Sequence, residues 1–165
     1  MPVTQQRLKH LLDYDYDPLT GVFTCRVQRG KLSVGSVAGS LNVDGYVQIQ
    51  IDRKNYYGHQ LAWLYVYGSW PTYDIDHEDT EKDHNWISNL RPCTQSQNNG
   101  NERLSKNNTS GFKGVVFDNA RKKWKAQIKV NRGMKYLGRY DDKQDAIDAY
   151  WAAATKYFGP FARAA

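Results

Sequence analysis

The spacing of apolar residues along the chain predicts an alternation of short strands and helices. Residues 4–12 place their leucines on one helical face, which predicts a short helix. Residues 22–58 alternate apolar and polar positions in short runs, and turn residues at 44–45 and 53–55 predict hairpins between the strands. Residues 59–68, HQLAWLYVYG, return to helical spacing and predict a buried helix that ends at its glycine.

The last third of the chain predicts a sheet backed by a helix. The runs FKGVVFD, KKWKAQIKV and MKYLGRY alternate apolar and polar residues and predict three strands. In the middle strand the lysines lie on one face, while Trp124, Ala126 and Ile128 lie on the other. Residues 142–158 have the apolar spacing of a helix that would cover this second face. Trp124 is therefore expected in the core rather than on a base-stacking surface.

Charge is divided unevenly between two parts of the chain. Residues 1–102 hold 9 basic and 12 acidic residues, a net of −3, whereas residues 103–165 hold 14 and 5, a net of +9. The sign of the net charge changes within residues 98–111, NNGNERLSKNNTSG. This segment has almost no apolar residues to bury, which predicts a linker or a loop that becomes ordered on a partner. The basic part favours a polyanion partner, with a generally basic surface as the alternative.

Composition excludes several classes of protein. Apolar residues make up 40% of the chain and aromatic residues 13%, which is enough to build a core. No apolar run approaches the ~20 residues of a membrane span, and the first residues lack a secretory signal pattern, so we expect a cytoplasmic protein with no membrane partner. Cys25 and Cys93 lack zinc-cluster spacing, so we expect packing thiols and no structural zinc.

A polar cluster lies in residues 73–101, YDIDHEDTEKDHNWISNLRPCTQSQNNGN. Asp76 and Asn98 carry the oxygen donors that Mg²⁺ prefers, and histidine such as His77 has an ordinary pKa near ~6.5, which suits a general base. Cleavage of a phosphodiester needs both a base and a cation. The same residue types also occur in ordinary loops, so composition alone leaves a solvated loop as the alternative.

The spacing within this cluster resembles a nuclease signature. The run IDH at residues 75–77, NLR at 89–91 and QN at 97–98 is similar to the HNH motif of phage and intron homing endonucleases. The intervals of 12 residues from His77 to Asn89 and 9 from Asn89 to the final asparagine are also similar. The upstream HQLAWLYVYGSWP resembles the lead-in of the phage members. The resemblance implies a ββα-metal fold, DNA cleavage and one divalent cation, with Mg²⁺ ahead of Mn²⁺.

The resemblance also implies a role for each matching position. It makes His77 the general base. Asn89 takes the central position, where its side chain fixes the loop and orients the histidine. Asp76 and Asn98 take the metal-binding positions, Asn98 in place of a second histidine. Arg91 lies where it could contact phosphate, although a salt bridge is an equal alternative.

Three features of this part leave other interpretations open. The loop 78–86 departs from the family pattern at EDT and HNW, which affects the expected loop geometry more than the catalytic positions. His84 is a second candidate for the catalytic histidine, but its neighbours do not match the motif. His59, at the start of the predicted helix, is either a hydrogen-bonded structural residue or a group that approaches the scissile phosphate.

The basic part resembles a second family. The order GV, W.A.I, LG and A..AY in residues 110–162 is similar to the ethylene-response-factor (APETALA-type) DNA-binding domain of plants. This resemblance implies a three-stranded sheet laid in the major groove and backed by one helix. Val116 stands where the plant domains place a base-reading arginine, so the base preference is not carried over. The implied DNA contacts are Arg121, Lys123, Lys125, Gln127, Lys129, Tyr136 and Arg139, together with Lys113.

These patterns predict an α+β protein. Its HNH nuclease domain spans 1–102, with a β-rich part at 1–58 and the ββα-metal core at 59–102, and a linker at 103–110 leads to a DNA-binding domain at 111–165. We expect a phage-type homing or nicking endonuclease that hydrolyses duplex DNA as a monomer or weak dimer. The alternatives are a non-catalytic DNA-binding regulator built on a decayed nuclease and an RNA-binding protein, which the basic sheet suits less because the A-form major groove does not admit a sheet.

Overall fold

The computed structural model describes residues 2–14, 20–28 and 30–163 of a mixed α+β protein with small antiparallel sheets. Within these residues the helices are α1 (Gln5–Leu11), α2 (Gly58–Tyr67), α3 (Gln95–Asn101) and α4 (Lys143–Phe158). The strands are β1 (Leu12–Tyr14), β2 (Phe23–Cys25), β3 (Ser40–Leu41), β4 (Val47–Ile51), β5 (Lys54–Tyr57), β6 (Asp74–His77), β7 (Leu90–Cys93), β8 (Val115–Asp118), β9 (Lys123–Val130) and β10 (Gly133–Tyr140). None of the described helices is long and apolar enough to span a bilayer.

The chain forms two compact units, residues 1–92 and residues 93–165, called unit 1 and unit 2 below. Helix α3 belongs to unit 2 by its packing, since Gly100 lies directly against the ring of Phe158. The sequence predicts this helix within the nuclease domain and a second domain that begins at residue 111. That functional boundary remains a prediction.

Unit 1 is built around one apolar core to which the first part of the chain contributes. Leu8 of α1, Phe23 of β2 and Ile49 of β4 are buried in the same cluster as Leu61 of α2 and Leu90 of β7. The early strands and α1 therefore complete the core that supports β6 and β7, which pair with each other as a two-stranded sheet.

The hairpin between β4 and β5 turns one residue earlier than predicted. Asp52 and Arg53 take the left-handed φ values of 48° and 65°, and Lys54 already pairs with Ile51. Two consecutive positive φ values are typical of the tight turn that matches the twist of a hairpin. Strand β5 then leads straight into α2, whose predicted end is confirmed by Gly68 in the left-handed conformation.

Unit 2 contains the predicted sheet and helix. Strand β9 lies between β8 and β10, and α4 packs on the face that buries Ala126 and Ile128. Asp142 caps α4 by accepting a hydrogen bond from the backbone N–H of Gln144, which satisfies one of the donors that a helix start leaves unpaired. Trp124 packs against the same core, as expected from its place in the alternation.

The predicted linker has ordered structure of its own within unit 2. Ser110 is buried, and its hydroxyl donates to the backbone oxygen of Phe112 at 2.9 Å. The side-chain amide of Asn108 donates to the same oxygen at 2.8 Å. These short-range bonds close the asparagine-rich and serine-rich segment into a turn. Both cysteines are buried and neither forms a disulfide, as expected for packing thiols.

Candidate active site

Strand β6 carries two adjacent polar residues into the interior of unit 1. Asp76 is 4% exposed and His77 is 5% exposed, although both belong to types that usually lie at the surface. A buried carboxylate or imidazole is costly unless it is paired, so the partners of these two side chains decide what they can do.

His77 is held by a hydrogen bond to Asn85. Its Nε2 lies 3.1 Å from Oδ1 of Asn85, and the amide nitrogen of Asn85 donates to the backbone oxygen of Asp83 at 3.1 Å. The second bond fixes the orientation of the amide, so Oδ1 faces the histidine and only accepts. Nε2 of His77 therefore carries the proton, and Nδ1 carries the lone pair that a general base uses.

The surroundings of His77 favour its neutral form. Burial lowers the pKa of His77, while the bond to Asn85 and the nearby Asp79 and Asp76 carboxylates oppose part of that decrease. The net direction is downward from the ordinary value. An imidazole with a lowered pKa keeps its lone pair at neutral pH, which is the state required to accept a proton from water.

Asn85 sits in a tightly packed position that two glycines make possible. A Cβ added to Gly58 would lie 2.8 Å from the amide nitrogen of Asn85, and a Cβ added to Gly21 would lie 2.2 Å from its backbone carbon. Any side chain at these positions would push Asn85 away from His77. Asn85 was not among the predicted site residues. Its position between the IDH and NLR runs of the motif is the signal that could have identified it.

Asn89 ties together the two ends of the loop between β6 and β7. Its amide oxygen accepts from the backbone N–H of Asp79 at 3.1 Å, and its amide nitrogen donates to the Asp79 carboxylate and to the backbone oxygen of His84, both at 2.9 Å. Its backbone oxygen also accepts from the N–H of Glu78. Asn89 thus stabilises the loop through its hydrogen bonds. The side chain that is hydrogen-bonded to His77 is that of Asn85.

His84 is bound to a carboxylate on the loop between β6 and β7. Its Nδ1 lies 2.6 Å from a carboxylate oxygen of Asp79, and its side chain is 41% exposed. Partial burial is the largest single influence on the pKa of Asp79 and raises it. The hydrogen bonds to His84 and other groups together outweigh burial, so the net shift of this pKa is downward. An exposed, carboxylate-bound histidine on the loop is a structural element of that loop.

Asp76 forms an ion pair with Arg91 on the neighbouring strand. Nε of Arg91 donates to Oδ2 of Asp76 at 2.9 Å, and its Nη1 lies 3.4 Å from the Glu78 carboxylate. Of the two alternatives left open for Arg91, the structure contains the salt bridge. The arginine offsets the charge of a carboxylate that is otherwise buried.

The chemistry of the predicted metal ligands fits a hard cation. Asp76 offers a carboxylate and Asn98 an amide oxygen, which are donors that Mg²⁺ accepts. Asn98 lies on α3, whose first turn is closed by a reciprocal capping pair between Thr94 and Gln97. Across residues 2–14, 20–28 and 30–163, no group of three or more His, Cys, Asp or Glu side chains could hold a metal ion. Asp76 and Asn98 remain predicted ligands.

His59 lies beside His77. The two ring centroids are 5.1 Å apart with the rings nearly perpendicular, and His59 stacks on Tyr57 at 5.4 Å. Nδ1 of His59 is buried, and within the described part of the chain it has no hydrogen-bond partner. Burial, together with the charge of a protonated His77, lowers the pKa of His59 to about 3. His59 is therefore neutral. Its two predicted roles, as a structural residue and as a group that approaches the scissile phosphate, both remain predictions.

The outer face of the sheet in unit 2 carries most of the predicted DNA contacts. Lys125 is paired with Val116 on one side and with Arg139 on the other, and Gln127 is paired with Tyr136. Directly opposed residues of neighbouring strands point to the same side of a sheet. These side chains therefore share the face opposite α4, as the alternation predicted.

Lys113 and Lys123 are engaged with other groups of unit 2. Nζ of Lys113 donates to the backbone oxygen of Gly100 at 2.9 Å, and burial lowers the pKa of Lys113 to about 8. Lys123 lies 3.1 Å from the Asp141 carboxylate. Among the described residues, Lys125 and Lys129 have no ion-pair partner, so their charges remain uncompensated on the outer face.

Comparisons with known proteins agree with the nuclease signature. Residues 56–100 match a protein family described as HNH endonuclease. The chain is also 28% identical over 106 residues to Protein 3.8 of Escherichia phage T7, a match that covers 64% of this chain and 87% of that protein. The matched family indicates a nuclease, which is a hydrolase, with DNA as its substrate and a divalent metal as its usual cofactor.

Proposed function

We propose that this protein is a metal-dependent HNH endonuclease that hydrolyses phosphodiester bonds in duplex DNA. The observation that carries the proposal is the buried His77, whose Nε2 is held by the amide oxygen of Asn85, next to Asp76 on the same strand. Both residues lie within the segment that matches the HNH endonuclease family.

In this mechanism His77 acts as the general base. Its Nδ1 takes a proton from a water molecule, and the water oxygen forms a bond to the scissile phosphorus as the bond to the 3′ oxygen breaks. The Nε2–H bond to Asn85 keeps the imidazole oriented and stabilises the imidazolium that forms. The departing 3′ oxygen takes a proton from solvent water, so the products carry 5′-phosphate and 3′-hydroxyl ends.

Asp76 and Asn98 would hold the divalent cation, for which Mg²⁺ is our first choice. When bound, this cation supplies positive charge that offsets the negative charge developing on the phosphate and on the departing oxygen. Arg91 keeps the Asp76 carboxylate in a fixed orientation through their ion pair. Asn89 maintains the loop that links the two strands of the site.

The basic outer face of unit 2 would hold the DNA. Lys125 and Lys129 supply phosphate contacts, and Gln127, Tyr136 and Arg139 lie on the same face. We infer an ethylene-response-factor-type mode, with the sheet in the major groove and α4 behind it. Binding that depends on lysine and phosphate charges should weaken steeply as salt concentration rises.

One predicted catalytic histidine per chain favours nicking of one strand by a monomer. Cleavage of both strands would then require a second chain or a second binding event. The similarity to a phage protein is in keeping with a phage-type homing or nicking enzyme.

A plasmid assay tests the proposal. Supercoiled DNA incubated with the wild-type protein and Mg²⁺ should be converted to the relaxed circle, and EDTA should abolish the conversion. His77→Ala should lose the activity, whereas His10→Ala, which changes an exposed histidine on α1, should keep it. Binding without any nicking by the wild-type protein would support the non-catalytic regulator instead.

A further inference from the structure

An acidic residue lies on the face of unit 2 that is proposed to meet DNA. Asp118, at the end of β8, is paired across the sheet with Lys123 of β9, and its side chain is only 16% exposed. A carboxylate repels phosphate, so its presence among the cations of this face needs a reason.

Asp118 binds two arginines. Its Oδ2 accepts from Nε of Arg139 at 3.1 Å and lies 3.4 Å from Nη1 of Arg121, while its Oδ1 accepts from the backbone N–H of Arg121 at 3.2 Å. Arg139 is on β10, and β9 lies between β8 and β10. The ion pair between Asp118 and Arg139 therefore draws the guanidinium across the outer face of the middle strand.

Two further features fix the same guanidinium. The register shifts by one residue between Tyr136 and Gly138, and this irregularity places Arg139 opposite Lys125. Nη1 of Arg139 lies 3.5 Å from the hydroxyl of Tyr136, and its guanidinium carbon lies 5.4 Å from the centre of that ring. Arg139 is thus held at Nε by Asp118 and at Nη1 by Tyr136, and no hydrogen bond from its Nη2 is seen within the described part of the chain.

The cations of this face consequently fall into two kinds. Among the residues that the structure describes, Lys125 and Lys129 have no ion-pair partner, and a mobile lysine suits a phosphate. Arg139 has a defined orientation, and an oriented arginine fork matches the O6 and N7 acceptors of guanine in the major groove. Fixing such a side chain in advance favours discrimination between bases.

We propose that Asp118 is a positioning residue that orients Arg139 to read a guanine in the major groove. The inference rests on the proposed binding of DNA by unit 2. It predicts that removing the Asp118 charge has opposite effects on two quantities: affinity for arbitrary DNA rises because a repulsive charge is lost, while preference for the guanine falls because Arg139 is no longer held.

The test uses the full-length protein in EDTA, so that DNA is bound and not cleaved. A random-sequence duplex library is selected on the wild-type protein, and we expect a bound motif with an invariant guanine. Replacing that guanine by 7-deazaguanine, which lacks the N7 acceptor, should weaken wild-type binding about tenfold. Replacing it by inosine should leave binding nearly unchanged, because inosine keeps both major-groove acceptors.

Asp118→Asn should reduce the guanine preference about tenfold or more while affinity for random duplex increases. Asp141→Asn is the matched control, because Asp141 pairs with Lys123 at 3.1 Å and its loss changes the charge equally. This control should gain affinity and keep the guanine preference. Arg139→Lys, which retains the charge without the fork, should reproduce the loss of preference even if Asp118→Asn does not fold.

Each result has a definite meaning. A bound motif without an invariant guanine, an unchanged preference in a folded Asp118→Asn, or an unchanged preference in Arg139→Lys would overturn the role of Asp118 and leave DNA binding by unit 2 intact. Failure of the wild-type protein to bind any duplex would overturn the proposed function and this inference together.

Discussion

Nε2 of His77 and Oδ1 of Asn85 lie 3.1 Å apart, and both residues are buried. The bond fixes which ring nitrogen carries the proton, because the amide of Asn85 is itself oriented by the backbone oxygen of Asp83. An amide partner orients the imidazole without adding a charge, so the histidine stays neutral in an interior that lowers its pKa.

Asn85→Ala should reduce the cleavage rate by about 10- to 100-fold, the usual effect of removing a residue that orients a functional histidine. DNA affinity should stay unchanged, because Asn85 is buried and does not lie on the basic sheet. Single-turnover cleavage and a separate binding measurement in EDTA distinguish the two quantities. A rate equal to wild type would show that the bond to Asn85 has no part in catalysis.

Gly58→Ala should reduce the cleavage rate although alanine is the better helix former at the start of α2. The added Cβ would lie 2.8 Å from the amide nitrogen of Asn85 and 3.1 Å from Cβ of Val47, so Asn85 must move. Gly133→Ala is the control, since its Cβ would meet the backbone oxygen of Val130 at an ordinary 3.5 Å. Equal cleavage rates for the two variants would argue against a role for this close packing.

Asn89→Ala should destabilise unit 1 by about 2 to 4 kcal/mol, since it removes three hydrogen bonds of a residue that is 5% exposed. Denaturant unfolding of the full chain measures the change in the free energy of unfolding. Ser88→Ala, at the exposed neighbouring position, should have almost no effect. A stability loss as small as that of the serine variant would mean that the loop does not depend on Asn89.

Lys113 should make the stability of unit 2 rise with pH. Burial lowers its pKa in the folded protein to about 8 from an ordinary value of 10.5, with Glu102 opposing the decrease and Arg163 adding to it. Between these two values the unfolded chain holds more protons than the folded chain, so the free energy of unfolding increases with pH. Lys113→Met lacks this titration, and its stability should change less than that of wild type across the same window. Parallel curves for the two proteins would contradict the assignment.

The sequence was sufficient to predict the strands and helices whose apolar residues repeat at regular intervals. Strand β9 and helix α4 repeat their apolar residues at the intervals of a strand and of a helix, and both were predicted close to their observed bounds. The turn at Asp52 and Arg53 was placed one residue late, because arginine is not a typical choice for a positive φ and no glycine marks the turn.

Side-chain partners across loops and irregularities could not be predicted in the same way. The bond between His77 and Asn85 spans the loop that departs from the family pattern, and its geometry depends on the absence of a side chain at Gly58. The approach of Arg139 to Asp118 depends on the shift in register near Leu137, which the alternation of apolar residues does not reveal.

The most direct measurement of the central claim is the single-turnover cleavage of an end-labelled duplex by wild type and by His77→Ala, both in Mg²⁺ and both shown to bind the duplex in EDTA. The general-base role of His77 predicts 5′-phosphate and 3′-hydroxyl ends for wild type and a rate lower by about 100- to 10,000-fold for the variant. Cleavage by His77→Ala at the wild-type rate would contradict it.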